Sequence, residues 1–268
     1  MLDETGQTVG ASVGGGCGHD SRKHLRMDIF TDLEAEHAQL EAMLEQLTAA
    51  QWSSPSSAAG WSVADVVLHL AQTEEAIPLS ASAADEAGWR DGDDNVDDMV
   101  EQWVRGERDD PSVVFERWKT AHRRAVATLR AADPDRRLRW AAAPLKPATL
   151  ATTRIAEHWA HALDIAVPLG IDYADTDRLR HIAWLGHNTL PYAFGLEDID
   201  PQPVFVELTS PSSALWTFGE PSAPTHIRGA ASEFCRVGAR RLAPADSDLV
   251  ATGPLAAETL RVLRNYAY

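Results

Sequence analysis

The sequence predicts a mainly α-helical protein: a four-helix bundle followed by a small α+β domain. Three observations carry this prediction. Apolar residues recur at spacings of three and four through most of the chain ahead of Pro201, the signature of helices with one buried face. From Pro201 the texture changes to short β-branched and aromatic runs separated by Ser and Pro. At 268 residues, with 44% hydrophobic and 24% charged content, the chain is long enough to bury such a core.

Residues 1–26, with Gly14, Gly15, Gly16 and Gly18 around Cys17, lack periodicity and read as a flexible extension before Met27. These glycines do not make a phosphate loop, because no strand precedes them and no Gly-Lys-Ser/Thr follows. From Thr31 to Leu47, Leu33, His37, Leu40, Leu44 and Leu47 form the seam of a first helix. Ser62 then sits where an N-cap belongs, with Asp65 three residues on. Val63, Val66, Val67 and Leu70 continue it as a second helix carrying His69 at the edge of the apolar stripe.

The stretch from Asp85 to Asp110 sets eleven carboxylates against Arg90, Arg105 and Arg108, and reads as a solvated connection with room for a short helix. Its Asp91, Asp93, Asn95 and Asp97 loosely resemble a calcium loop. Val96 stands where that loop needs glycine and Gln102 where it needs glutamate, so the match fails.

Pro111 to Ala132 is a third helix, ended by Asp133-Pro134, and Leu150 to Val167 a fourth, stopped by Pro168 and Gly170. Asp177 to about Leu190 reads as a fifth. Beyond it, Val204 to Leu208 and Leu215 to Phe218 read as strands, Ala230 to Arg241 and Pro254 to Tyr268 as helices, and Asp248 to Thr252 as a strand between those helices. The expected division is an extension at 1–26, a helical bundle at 27–198 and an α+β domain at 199–268.

A formal charge of −16 argues against nucleic acid or an anionic membrane as partner, since both need basic surface; small molecules are the expected ligands. No apolar run approaches the roughly eighteen residues of a spanning helix, and no secretory signal opens the chain, so a cytoplasmic location is expected. Two cysteines, Cys17 and Cys235, are too few for a disulfide framework, and Cys235 reads as helical core rather than nucleophile. No Gly-x-Ser-x-Gly elbow supports a serine hydrolase.

The chemistry points to the second and fourth helices. At 100° per residue, Thr153, Glu157, His161 and Asp164 share one face, while Ile155, Trp159, Ala162 and Ala166 share the opposite one. Glu157 and His161 therefore stack one turn apart and can bind one ion, with His69 as third ligand. Two imidazoles and a carboxylate leave a coordination position open, as catalytic rather than structural sites do. The same spacing also suits a solvated helix face, and a buried His69 would equally be satisfied by a backbone carbonyl. Arg154 and Asp164 are the candidate catalytic side chains. Asp164 could orient His161 from behind or face water or a neighbouring arginine, and Arg154 could bind an anionic substrate, neutralise Glu157 or form an ordinary intrahelical ion pair. His37 reads as packed in its seam, with a role as fourth ligand or gate as the alternative.

Several stretches resemble one family: Gly60-Trp61-Ser62-Val63-Ala64-Asp65 leading to His69-Leu70, Arg117-Trp118, Arg139-Trp140, and Arg154-Ile155-Ala156-Glu157-His158-Trp159-Ala160-His161-Ala162-Leu163-Asp164. Trp216-Thr217-Phe218-Gly219, Ser232-Glu233-Phe234-Cys235 and Arg240-Arg241 extend the likeness toward the C-terminus. The chain resembles the actinobacterial, mycothiol-dependent maleylpyruvate isomerase-like branch of the DinB/YfiT-like metalloenzyme superfamily. This resemblance implies a DinB-like bundle with a divalent metal, zinc first, on His69, Glu157 and His161, and mycothiol as thiol cosubstrate. The implied activity is S-transfer or isomerisation of a small electrophile through a metal-activated thiolate. A thiol-independent metal hydrolase and a non-catalytic metal or small-molecule binding protein are the alternatives, and a homodimer is left open.

Overall fold

The computed structural model describes residues 28–82, 96–140 and 143–266. The expected N-terminal extension with Cys17, and the Asp91, Asp93 and Asn95 stretch, lie outside the described residues.

Asp28 accepts from the Phe30 amide and starts α1 (Ile29–Leu44), earlier than the apolar seam alone predicts. A short α2 (Ala49–Trp52), held by a capping box between Thr48 and Gln51, was not anticipated. α3 (Val63–Ser82) begins where the sequence places it. Asp65 accepts from the Ser62 amide at 2.9 Å and the Ser62 hydroxyl accepts from the Asp65 amide at 3.2 Å.

The acidic stretch contains α4 (Val96–Gly106), and α5 (Pro111–Ala131) starts with Pro111 in its first turn behind the Asp110 cap. α6 (Pro147–Leu169) starts on Pro147 and stops at Gly170, whose φ of 65° is the left-handed geometry that glycine adopts without strain. α7 (Leu179–Gly195) follows.

The bundle is α1, α3, α5 and α6. α3 lies along α5, and α1 along α6. Beyond α7 come β1 (Val204–Thr209), β2 (Leu215–Phe218), β3 (Thr225–Ala230), α8 (Ala231–Gly238), β4 (Val250–Thr252) and α9 (Ala256–Val262). The sheet runs β2-β1-β3-β4, with β1 parallel to β3 and the other pairs antiparallel. β3 went unread in the sequence. The final helix is shorter than its apolar pattern suggests because Asn265 leaves the helical path to bond the Cys235 and Gly238 carbonyls. Cys235 is buried core, as read. The apolar interior runs continuously from Leu33 to Leu263, with Trp118, Trp159, Phe194 and Phe234 among its largest fully buried side chains.

One part of that interior titrates. His122 on α5 sits with its ring 4.5 Å from that of His37 on α1 and 4.6 Å from that of Trp118, and it faces Glu41 on α1 and Arg123 on its own helix. Burial, with the Arg123 charge adding to it, pushes its pKa down to about 4, and His37 is held low by the same burial. A group that stays neutral when folded but protonates when unfolded stabilises the fold fully above the unfolded pKa of about 6.5. That stability is lost as pH falls from there toward about 4. His122 alone accounts for about 3 kcal/mol of the loss. Denaturant titrations at pH 7 and pH 4.5 should show it, and His122→Phe should flatten the difference by a comparable amount.

Candidate metal centre

The Ser62–Asp65 cap fixes the start of α3, and Arg108 clamps Asp65 with two hydrogen bonds of 2.7 and 3.0 Å. His69 follows Asp65 by one turn, so the clamp also sets the direction of the His69 side chain. Across from it, α6 presents Glu157 and His161 one turn apart. His69 Nε2 lies 2.9 Å from Glu157 Oε1, and His161 Nε2 lies 3.4 Å from the same oxygen. One ligand atom from each of the three falls within 4.8 Å of the other two. The imidazoles are mostly covered, while the Glu157 side chain is 29% exposed and marks the open side.

The electrostatics suit a cation. Burial pushes the Glu157 carboxyl up, but hydrogen bonds from His161 and His69 more than reverse this and hold it well below the usual carboxylate range. Burial lowers His69 despite its Glu157 partner. It lowers His161 too, but there the Asp164 and Glu157 hydrogen bonds win and the pKa rises.

Asp164, for which the sequence offered either support of His161 or an outward face toward water or an arginine, lies 2.9 Å from His161 Nδ1. A proton held there makes Nε2, the nitrogen facing Glu157, the one that would bind a metal in place of its own proton. Asp164 is itself held by Arg241, whose Nε donates to Oδ1 at 3.0 Å and whose other arm donates to Oδ2. Sequence reasoning did not assign Arg241 this role, because a contact spanning 77 residues leaves no local periodicity.

Arg154 is placed differently from a substrate-binding arginine. Its Nε donates to Glu74 Oε1 at 2.8 Å, a second arm donates to Thr73 Oγ1 at 2.7 Å, and it is 3% exposed. Its positive charge still helps hold the Glu157 carboxyl low. Its partner Glu74 lies on α3, so the pair joins two helices instead of lying along one. Glu74 was also missed by sequence reasoning.

A second trio, His37, Glu74 and His158, is gathered in the interior. It suits a metal poorly. His158 Nε2 accepts from the Trp118 indole at 3.2 Å and its Nδ1 lies 2.9 Å from the Arg154 carbonyl, so both ring nitrogens are engaged. Glu74 already holds a guanidinium, whose charge repels a cation. His37 is packed between the His122 and His158 rings. The donor set that fits a divalent ion is therefore His69, Glu157 and His161.

The model of the mycothiol maleylpyruvate isomerase N-terminal domain family matches residues 33–166, a span that contains all three of these side chains. The chain belongs to that family. Two uncharacterized proteins from strains of Mycobacterium tuberculosis are each 33% identical to it over 250 residues, covering 88% of this chain and 94% of theirs. Crystal structures of the mycothiol-dependent maleylpyruvate isomerase and of a point mutant share the fold, each with a TM-score of 0.55 at 15% identity. The match covers 84% of this chain and 91% of theirs. In this mycothiol maleylpyruvate isomerase family member the matched span ends before Arg241, so the side chain behind Asp164 is contributed from outside the family's N-terminal domain. No described helix is long and apolar enough to cross a membrane.

Proposed function

We propose that this chain is a metal-dependent enzyme that uses mycothiol to isomerise, or transfer sulfur to, a small electrophilic metabolite. The observation that carries the reading is the convergence of His69 and His161 on one oxygen of a partly exposed Glu157. His69, Glu157 and His161 would hold a divalent ion, zinc being the expected one. When bound, the ion supplies the Lewis acidity that keeps a thiol, whose ordinary pKa is about 8.5, deprotonated near neutral pH.

The chain's own side chains do the rest. Glu157, held ionised, provides the negative ligand, and Asp164 fixes the His161 tautomer with Arg241 behind it. Arg154 stabilises the ionised Glu157 from the interior. Addition of sulfur to an activated double bond makes it single and free to rotate. Expulsion of the sulfur then restores the alkene with the opposite geometry and returns the thiol. Such thiol chemistry belongs in a reducing compartment, consistent with a cytoplasmic setting.

The test is turnover of an α,β-unsaturated keto acid such as maleylpyruvate by zinc-loaded protein, with and without mycothiol. Turnover that needs both zinc and mycothiol is the expected result. Turnover indifferent to the thiol would overturn the reading in favour of metal-dependent hydrolysis. A mycothiol-soaked crystal with no sulfur within bonding range of the metal would also overturn it.

A further inference from the structure

The candidate centre has an aromatic wall that its three ligands do not account for. The Trp61 indole lies across both imidazoles, its ring centroid 5.2 Å from that of His69 and 6.5 Å from that of His161, nearly parallel to the latter at 21°. Trp61 is half-buried, so the wall reaches from the ligands to the surface. It is held from α4: the indole Nε1 donates to Glu101 Oε2 at 2.5 Å, and Glu101 is itself paired with Arg105.

α4 in turn is tied to the His69 face of α3. Gln72 donates to the Trp103 carbonyl and to Glu107, and Arg108, just past the helix, clamps Asp65. Asp65, His69 and Gln72 share one face of α3 at spacings of four and three, so these ties flank His69 on both sides. An amphipathic element, with Val104 in the core, is thus also tied beside the centre by polar contacts, and one of them sets the angle of the indole.

From this we infer that Trp61, positioned by Glu101, determines specificity for the thiol by contacting the part of the cosubstrate beyond its sulfur. The inference rests on the metal reading above. A thiol bonded to an ion held by His69, Glu157 and His161 would lie beside the indole, which stands next to both imidazoles and reaches the surface. An indole offers a broad, polarizable face to the carbon skeleton of a bulky thiol such as mycothiol. A small thiol with little beyond its sulfur gains nothing from that face. The pairing with Glu101 keeps the indole from rotating away, so the contact costs little ordering on binding.

The test uses the full chain loaded with Co(II), whose thiolate charge-transfer absorption reports sulfur on the metal without any turnover. Metal content, mycothiol affinity and 2-mercaptoethanol affinity are measured for the parent chain, Trp61→Phe, Trp61→Ala, Glu101→Ala and Glu101→Gln. Trp61→Ala should keep stoichiometric cobalt and weaken mycothiol about tenfold while leaving 2-mercaptoethanol within about twofold. Trp61→Phe and Glu101→Ala should fall between, and Glu101→Gln, whose amide oxygen still accepts from the indole, should restore parental affinity.

If both thiols weaken equally, or neither changes, Trp61 does not discriminate between them and the inference fails while the metal reading stands. If the parent chain takes up no cobalt, the metal reading and the inference fall together.

Discussion

His161→Ala is expected to purify without stoichiometric metal, even after reconstitution, and to turn over substrate no faster than the uncatalysed background. The expectation follows from the donor count. Three side chains hold the ion, and removing one leaves His69 Nε2 and a Glu157 oxygen 2.9 Å apart, a pair that forms a hydrogen bond as readily as it binds a cation. Helical content should not change, because His161 is one residue of a 23-residue helix and Glu157 keeps its His69 partner. Elemental analysis with far-ultraviolet circular dichroism separates loss of metal from loss of fold.

Asp164→Asn provides a graded contrast. It keeps the shape but removes the charge behind the imidazole and Arg241's ionic partner, and should cost about 10–100-fold in metal affinity or activity. Metal retained at parental affinity in His161→Ala would show that the ion is held elsewhere, and the ligand assignment would be wrong.

What could be read in advance divides along a physical line. The Ser62–Asp65 cap, the i,i+4 pair of Glu157 and His161, and the β-branched and aromatic runs of β1 and β2 are local signals, and each appears where its pattern places it. β3 alternates, with Thr225 and Ile227 buried and Arg228 exposed, but over six residues that also contain a glycine, and it is specified by its pairing with β1. α4 was read only as charge with room for a short helix, because the carboxylates around it dominate the stretch, although Val96, Val100, Trp103 and Val104 recur at helical spacing and Val104 is fully buried.

The site divides in the same way. His69, Glu157 and His161 were visible by type and spacing. Glu74, Arg241, Trp61 and Glu101 act through contacts between segments distant in sequence. Arg154 shows the limit most clearly: the sequence left binding a substrate, neutralising Glu157 or an ion pair along its own helix, whereas the chain turns it inward to pair with Glu74 on α3.

That inward turn has a large energetic consequence. Arg154 and Glu74 are 3% and 0% exposed and meet at 2.8 Å, so each neutralises a charge that the interior could not otherwise hold. Burial raises the Glu74 pKa against the lowering effect of Arg154, so the carboxylate depends on its partner. Glu74→Gln or Arg154→Met should each destabilise the fold by about 3–5 kcal/mol, because each strands the opposite charge. For a chain of this size that is a fall of about 10 °C in melting temperature. The double substitution should recover most of the loss, since no buried charge remains, and a double-mutant cycle would give the coupling directly.

The cycle also decides what Arg154 does for the site. If its role is to hold Glu157 ionised, Arg154→Met alone should weaken metal binding beyond what Glu74→Gln does, because only the first removes a positive charge that favours the Glu157 carboxylate. If the two single variants bind metal equally well, Arg154 serves the fold alone.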